Sequence, residues 1–206
     1  MTFSSVYEIL DPLTTVRKQR FWEWFEGEIL HSRWTVGGSA SVNAMSNTVD
    51  GGYIITTTAV SNNFGSIHFN DKRHYDPRAM IYHVVLKASS TTVQSSCGMV
   101  VNPLAITSDV IIIGMRTNFD TSNFIIQSND GGNSFSSSTV ALDTNLHLHS
   151  GEFGSSDLKY SIDGVLEATH TTDRPTLKMQ PGFFVKTQGT AAAKSGNVIY
   201  MEAYST

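Results

Sequence analysis

The chain has 206 residues and a formal net charge of −4 at pH 7, which is enough length for one all-β domain with its own core. Charged residues make up only 16% of it, against about a quarter in an ordinary soluble domain, so Ser, Thr, Gly and Asn must supply the polar surface. This balance gives no basic field and argues against nucleic acid as a partner, and no run reaches the roughly 18 apolar residues that cross a membrane.

The N-terminal segment is the one stretch whose pattern allows a helix. Residues 12–25 place a basic group ahead of an aromatic cluster, and the segment lacks the apolar stretch of a secretory signal. We expect an arm over residues 1–20 and a sandwich domain over residues 21–206. The aromatic side chains of this segment either pack in the core of the same chain or bind the arm to another subunit. The second alternative follows from the frequent use of large aromatic side chains at protein interfaces. The residues expected at such an interface are Arg17, Arg20, Phe21, Trp22 and Trp24.

Beyond residue 20 the chain alternates short β-type runs with turn residues, giving roughly a dozen predicted strands, as is typical of a sandwich or barrel. The clearest hairpin joins Leu158–Ile162 to Val165–His170 through a two-residue Asp-Gly turn. The serine-rich segment 89–96 is interpreted as an exposed connection. Runs of β-branched and aromatic residues predict the remaining strands at 53–58, 80–87, 110–115, 124–127, 182–187 and 197–204.

Several motifs follow one another in a characteristic order. The segments 34–38 (WTVGG) and 50–57 (DGGYIITT) are followed near the C-terminus by 160–170 (YSIDGVLEATH), 181–187 (PGFFVKT) and 198–200 (VIY). This order resembles that of concanavalin A-like, laminin-G-like jelly-roll domains, over residues 22–204. The resemblance implies an all-β jelly-roll sandwich of two antiparallel sheets, preceded by a short N-terminal arm or helix.

Domains with such motifs are frequent in structural proteins of bacterial and archaeal viruses. The resemblance therefore predicts a non-enzymatic virion structural protein, namely a capsid decoration, fibre or tail component. Such a protein would be made in the host cytoplasm, lie on the virion surface, form a homo-oligomer and contact other virion or surface proteins. Two alternatives stay open: a stand-alone carbohydrate-binding module with a cell-surface glycan as its ligand, and a degenerate glycoside hydrolase.

Acidic residues are too sparse to suggest an active site. Glycoside hydrolysis usually takes two carboxyl groups roughly 5 to 9 Å apart. Glucanases of the fold that the chain resembles carry them along one strand, as E-x-D-x-x-E or E-x-D-x-E, and no such triplet occurs here. The nearest acids are Glu23, Glu26 and Glu28, which lack the central Asp. We therefore expect no catalytic residues and no enzymatic activity.

Metal binding and nucleophilic chemistry have equally little support. His147 and His149 would share one strand face, which is a start for a transition-metal site, but a polar strand face explains the same pattern. We therefore predict no metal ligands. Calcium stays open as a cofactor, because Asp130 and Asn133 could supply oxygen ligands. The single cysteine, Cys97, is interpreted as a small buried hydrophobe.

Sugar binding is the small-ligand function that the residue types favour most. A pyranose presents a face of C–H groups and a ring of hydroxyls, which suit an aromatic ring surrounded by amide and carboxylate groups. Each of these residue types also forms ordinary turns. The candidates on predicted loops are Tyr75, Phe119, Asp120, Asn123, Asp130 and Asn133.

Overall fold

A computed structural model shows an all-β chain. It describes residues 7–9, 18–39, 42–45, 51–69, 73–91, 93–102, 109–116, 119–187 and 192–206. In these ranges no helix is long and apolar enough to cross a membrane. The same ranges contain β1 (Tyr7–Ile9), β2 (Lys18–Trp24), β3 (Thr35–Gly38), β4 (Val42–Met45), β5 (Tyr53–Thr56), β6 (Phe64–His68), β7 (Met80–Ala88), β8 (Val93–Val100), β9 (Val110–Arg116), β10 (Asn123–Asn129), β11 (Ser134–Ala141), β12 (His147–Phe153), β13 (Leu158–Ile162), β14 (Val165–His170), β15 (Gln180–Thr187) and β16 (Ser195–Ser205).

The strands form two antiparallel sheets that pack face to face. The nine-stranded sheet has the order β1-β2-β16-β7-β12-β13-β14, with β5 beside β16 and β4 beside β5. The seven-stranded sheet has the order β11-β10-β9-β8-β15-β6-β3. We call the surface of each sheet that points away from the other sheet its outer face. The predicted two-sheet antiparallel sandwich is confirmed.

Alternation along the strands builds the core between the sheets. In β7, Tyr82, Val84 and Leu86 are buried and alternate with partly exposed residues, as expected for a strand with one face in the core. The seven-stranded sheet is apolar on both faces at its centre. A second cluster there contains Val100, Val110, Ile112 and Phe184, with Phe64 packed against it.

The prediction of a helix within residues 12–25 is wrong for the segment that forms β2. Lys18 pairs with Ile9 of β1, and Trp24 pairs with Tyr200 of β16. Strand β2 thus crosses the predicted boundary between the arm and the sandwich domain. The division at residue 20 stays a prediction.

The predicted interface residues separate into two groups. Phe21 is buried among core aromatics, with its ring centroid 4.8 Å from that of Phe69, so it is not available to a partner. Arg20, Trp22 and Trp24 instead lie on the outer face of the nine-stranded sheet, where Trp24 is half exposed. Arg17 lies outside the described residues. Oligomerisation stays a prediction.

The prediction that segment 89–96 is an exposed connection is wrong for its second half, which begins the central strand β8. Strand β8 lies between β9 and β15, and Ser95 and Ser96 are buried. Gly98 allows its neighbour to approach closely, because a Cβ at this position would collide with the carbonyl oxygen of Ile111 on β9. Small residues on β8 therefore let the sheet close at its centre.

Replacing Gly98 by Ala should destabilise the protein by about 1–3 kcal/mol, because the colliding atom belongs to a backbone that cannot move aside. Urea unfolding measures the loss. Ser96→Ala is the matched control, since Ser96 lies on the same strand and outer face and already has a Cβ. Equal unfolding free energies for the two variants would contradict the close approach.

Candidate functional site

Exposed aromatic rings and side-chain amides meet on the outer face of the seven-stranded sheet. Phe135 of β11 lies opposite Gln127 of β10, and the ring of Phe119 packs on that of Phe135 with 4.3 Å between centroids. Phe119 is 47% and Phe135 39% exposed. We call these residues, together with the neighbouring Asn129 and Asn133, the aromatic–amide patch.

Hydrogen bonds fix the amides of the patch in the turn between β10 and β11. Gln127 Nε2 donates to Asn133 Oδ1 at 3.1 Å, and Asn129 Nδ2 donates to the same oxygen. The backbone N–H of Gly131 donates to Asn129 Oδ1 at 3.0 Å. Gly131 has a φ of 85°, which explains the glycine in this Asn-Asp-Gly-Gly-Asn turn. The turn thus holds polar groups beside the aromatic pair.

Two carboxyl groups face each other at the end of β9 and β10. Asn129 pairs with Val110, so the next residue, Asp130, comes opposite the preceding residue, Asp109. The two carboxyl groups are close enough to interact electrostatically. Burial and the neighbouring carboxyl of Asp130 together raise the pKa of Asp109. Burial and a neighbouring carboxylate both disfavour the charged form of Asp109, so the two effects act in the same direction.

A third carboxylate, that of Asp120, fixes the loop that carries Phe119. Asp120 Oδ1 accepts hydrogen bonds from the backbone N–H groups of Ser122 at 2.7 Å and Asn123 at 3.1 Å, and Ser137 Oγ donates to Oδ2 at 2.6 Å. Led by the Ser137 hydroxyl, these bonds lower the pKa of Asp120 to about 2. Asp120 and Asn123 therefore position the loop rather than offer free groups to a ligand.

Tyr75 does not belong to this surface. It is buried, it forms an isolated bridge with Met179, and its ring centroid lies 5.9 Å from that of Phe21. Burial raises the pKa of its hydroxyl. The prediction that Tyr75 binds a sugar is wrong, because a ring enclosed by the core cannot stack on a ligand.

The acids singled out in the sequence lie apart. Glu23 points into the core from β2, where Trp34 Nε1 donates to it at 3.3 Å and Arg33 lies 3.7 Å away; burial raises its pKa. Glu26 and Glu28 follow the end of β2 and are exposed. The outer positions of the central strands β8 to β10 carry no acid where they are described. They are Gln94, Ser96, Gly98, Val100, Val110, Ile112, Gly114, Ile125, Gln127 and Asn129.

His147 and His149 do share one strand face, but they turn inward, with ring centroids 6.2 Å apart. His147 Nδ1 lies 2.6 Å from Asp163 Oδ2 and its Nε2 lies 3.0 Å from Asp143 Oδ1. Burial opposes the charged ring, yet these carboxylates raise the pKa of His147. Complete burial lowers the pKa of His149 to about 3. This cluster links turns at one end of the sandwich.

The part of the chain that the structure describes was searched for clusters of possible metal ligands. The described ranges contain no group of three or more His, Cys, Asp or Glu side chains that could hold a metal ion. For calcium, Asn133 Oδ1 already accepts hydrogen bonds from Gln127 and Asn129, so it is engaged within the turn.

Comparisons with known proteins identify the fold. No protein-family profile and no curated protein sequence matches the chain. Among solved structures, a Bacillus licheniformis β-glucanase has a TM-score of 0.67 and 17% identity, covering 91% of this chain and 98% of that one. This chain has the jelly-roll fold of that glucanase.

Two further solved structures extend the likeness. A glycoside hydrolase family 16 endo-glucanase from Bacteroides ovatus has a TM-score of 0.62 and 14% identity, over 88% of this chain and 98% of that one. The catalytic domain of an endo-1,3-β-glucanase (laminarinase) from Thermotoga petrophila has a TM-score of 0.63 and 9% identity, over 99% and 98%. At sequence identities this low, the structural similarity establishes the fold alone.

These neighbours overturn two predictions, that of a non-enzymatic virion structural protein and that of a chain without enzymatic activity. The three solved structures compared above share the fold over nearly the whole chain, and they are named as glucanases and not as virion proteins. The concanavalin A-like jelly roll is confirmed, whereas its viral association has no support. The motifs behind that association record turns and core strands, which jelly rolls share whatever their function.

The patch was only partly visible in the sequence. Phe119, Asp120, Asn123, Asp130 and Asn133 do gather around β10 and β11, although their role in binding stays a prediction. Sequence reasoning missed the rest of the arrangement. Phe135 had one signal, as the only aromatic within a run of serines, but Gln127 and Asp109 are recognisable only from the pairing of β9, β10 and β11.

Replacing Asp109 by Asn should stabilise the protein at pH 7 relative to the unmodified chain, with little effect near pH 3. Because the pKa of Asp109 is raised in the folded protein, folding favours the protonated side chain. This contribution to the free energy of unfolding is fully present below the usual Asp pKa, and it is lost as the pH rises through the raised value. Thermal unfolding at several pH values measures this. Asp157→Asn, on the turn between β12 and β13, is the control. A change in stability on Asp109→Asn that does not depend on pH would contradict the raised pKa of Asp109.

Proposed function

We propose that this protein is a glucan-processing enzyme that binds a β-linked glucan on the aromatic–amide patch and acts on its glycosidic bonds with Asp109 and Asp130. The observation that carries the proposal is the exposed aromatic pair on the outer face of the seven-stranded sheet, together with two interacting carboxyl groups where β9 and β10 end. The shared fold supports the substrate class, since the solved structures are named as a β-glucanase, an endo-glucanase and an endo-1,3-β-glucanase.

The patch supplies the two kinds of contact that a sugar chain needs. Phe119 and Phe135 expose ring surface for the C–H face of a pyranose. The exposed Asn133 brings an amide to the same place, while Gln127 and Asn129 are buried and hold it there by donating hydrogen bonds to its Oδ1. The charged groups near the rings are acids such as Asp120, so an anionic polymer would be repelled and an uncharged one is favoured.

The carboxyl pair supplies groups of the kind that glycoside hydrolysis uses. One carboxylic acid protonates the leaving oxygen while a carboxylate activates water or attacks the sugar. Asp109, whose pKa is raised, fits the role of the acid, and Asp130 takes the other role. Glycosidases hold two such carboxyl groups roughly 5 to 9 Å apart, so the proposal requires the Asp109 and Asp130 side chains to adopt that separation when a glucan is bound. Both acids lie at strand ends, and Asp130 is exposed.

Removing either ring of the patch should weaken glucan binding. We expect Phe135→Ala and Phe119→Ala each to raise the dissociation constant for laminarin about five- to tenfold, because each loses stacking area. Affinity electrophoresis in gels containing laminarin or mixed-linkage glucan measures the change. Leu166→Ala is the control, since this exposed side chain of β14 lies on the other sheet. Unchanged retention of both Phe variants would remove the patch from the proposal.

Replacing Asp109 or Asp130 by Asn should lower the rate of glucan hydrolysis by about 100-fold or more, because proton transfer in the transition state is lost. Release of reducing ends from laminarin and mixed-linkage glucan measures the rate, with Asp157→Asn as control. Undiminished activity in both variants would exclude the pair. If the unmodified protein neither hydrolyses glucans nor transfers glycosyl groups between them, the proposed catalytic activity is rejected. The proposed glucan binding would still be tested by the affinity experiment.

A further inference from the structure

A row of side-chain hydrogen bonds joins the edge strands of the two sheets. Strand β11 ends the seven-stranded sheet, and β14 ends the nine-stranded sheet. Thr139 of β11 donates to the carboxylate of Glu167 on β14, from its backbone N–H at 2.6 Å and from its hydroxyl at 2.9 Å. Farther along β11, Ser134 Oγ donates to Asp173 Oδ2 at 2.7 Å. We call this row the seam, and its members are Ser134, Ser136, Thr139, Glu167, His170 and Asp173.

His170 is the central member of the seam and links the two sheets. It is 5% exposed, its Nε2 lies 2.9 Å from Ser136 Oγ, and its Nδ1 lies 2.9 Å from Ser128 Oγ on β10. A neutral imidazole has one donor and one acceptor nitrogen, so it donates to one hydroxyl and accepts from the other. His170 therefore ties β14 to β10 and β11, the strands that carry residues of the aromatic–amide patch.

The seam holds the part of β11 that presents Phe135. Side chains alternate along a strand, so Ser134 and Ser136 point toward the seam, while Phe135 between them points to the outer face. The backbone of β11 pairs with β10 along one side. The seam thus provides a second attachment for the strand whose ring is proposed to stack on a glucan.

Two backbone irregularities bring side chains into the seam. A register shift between β13 and β14 leaves Glu167 as an extra residue, and such β-bulges change the direction of a side chain. Asp173 has a φ of 50°, in the left-handed region that Asp tolerates better than most residues. Its carboxylate lies against Gly132 in the turn between β10 and β11, where a Cβ would collide with it. Backbone of this kind persists where surrounding contacts hold it, and it is common in switch regions.

We propose that His170 is a positioning residue for glucan binding: through Ser136 it fixes β11 and the ring of Phe135, and it does so while its imidazole is neutral. This inference rests on the proposed function, because it describes regulation of the same site. A protonated ring would bring a charge into a buried position between two hydroxyls. Acidification should therefore loosen β11 and weaken the hold of Phe135 on a glucan.

The groups around His170 determine how its charge changes with pH. Burial lowers the pKa of His170, and the carboxylate of Asp173 opposes part of this shift. Glu167, the other acid of the seam, is bonded to Thr139. The residues that face the ring from β10, β11 and β13 are uncharged, namely Ser128, Ser136, Leu158 and Tyr160. Because the pKa is lowered, the contribution of the neutral ring is fully present above the usual His pKa and is lost as the pH falls through the lowered value.

The test compares laminarin binding by the unmodified protein, His170→Gln and His170→Ala, using affinity electrophoresis between pH 7 and about pH 4. His170→Ala should weaken binding at pH 7 about five- to tenfold, because both hydrogen bonds are lost. Gln offers Ser136 a polar group that does not titrate, so His170→Gln should keep most of the affinity and lose less of it on acidification. His83→Gln is the matched control, since His83 of β7 also contacts a serine hydroxyl, that of Ser150 at 2.9 Å.

Hydrogen exchange of the backbone amides of residues 134–141 follows the seam without a glucan. We expect faster exchange in His170→Ala than in the unmodified protein or in His170→Gln. If His170→Ala does not fold, Ser136→Ala removes the same contact from β11 and should show the same losses.

The outcomes separate this inference from the proposed function. Weaker binding and faster exchange in His170→Ala, with recovery in His170→Gln, support it. Unchanged laminarin affinity in His170→Ala overturns it, even if exchange becomes faster, because the role would then be structural alone. The same acid-dependent loss of affinity in His170→Gln and in the unmodified protein also overturns it. If the unmodified protein does not bind laminarin, the proposed function fails before any His170 variant is compared, and the inference fails with it.

Discussion

Strand register is the constraint on which the surfaces of this protein depend. In an antiparallel pair, a shift of one residue moves every side chain to the other face of the sheet. The pairing of Asn129 with Val110 places polar residues of β10 on the outer face, and it brings Asp130 opposite Asp109. On the other sheet, a single extra residue at Ile199 turns Tyr200 outward. Both surfaces thus follow from a few backbone pairings.

The apolar centre of the seven-stranded sheet makes those pairings secure. Strands β8 and β9 bury side chains on both faces, so a slipped register would misplace two apolar clusters at once. Gly98 permits the close approach of β8 and β9. Because this centre is fixed, polar groups can collect at the strand ends and on β11, where they face solvent without weakening the core.

Sparse charge acquires a different meaning once the strands are in place. In the sequence it argued against catalysis, because no row of acids followed any strand. In the fold, two acids that are 21 positions apart in the sequence meet where a strand pair ends, and burial together with the neighbouring carboxyl raises the pKa of Asp109. A search along single strands cannot find a pair that forms between strands.

The sequence by itself determined the fold class, since strand patterns, the Asp-Gly hairpin at Asp163 and the jelly-roll motifs depend on local residue preferences that survive in the folded chain. It failed where neighbours override those preferences: the segment 18–24 became a strand because β16 pairs with it, and the serines of β8 became central because two strands enclose them. Only the tertiary structure buried Tyr75, exposed Trp24 and joined Phe119 to Phe135, because those outcomes depend on contacts between residues far apart in the chain.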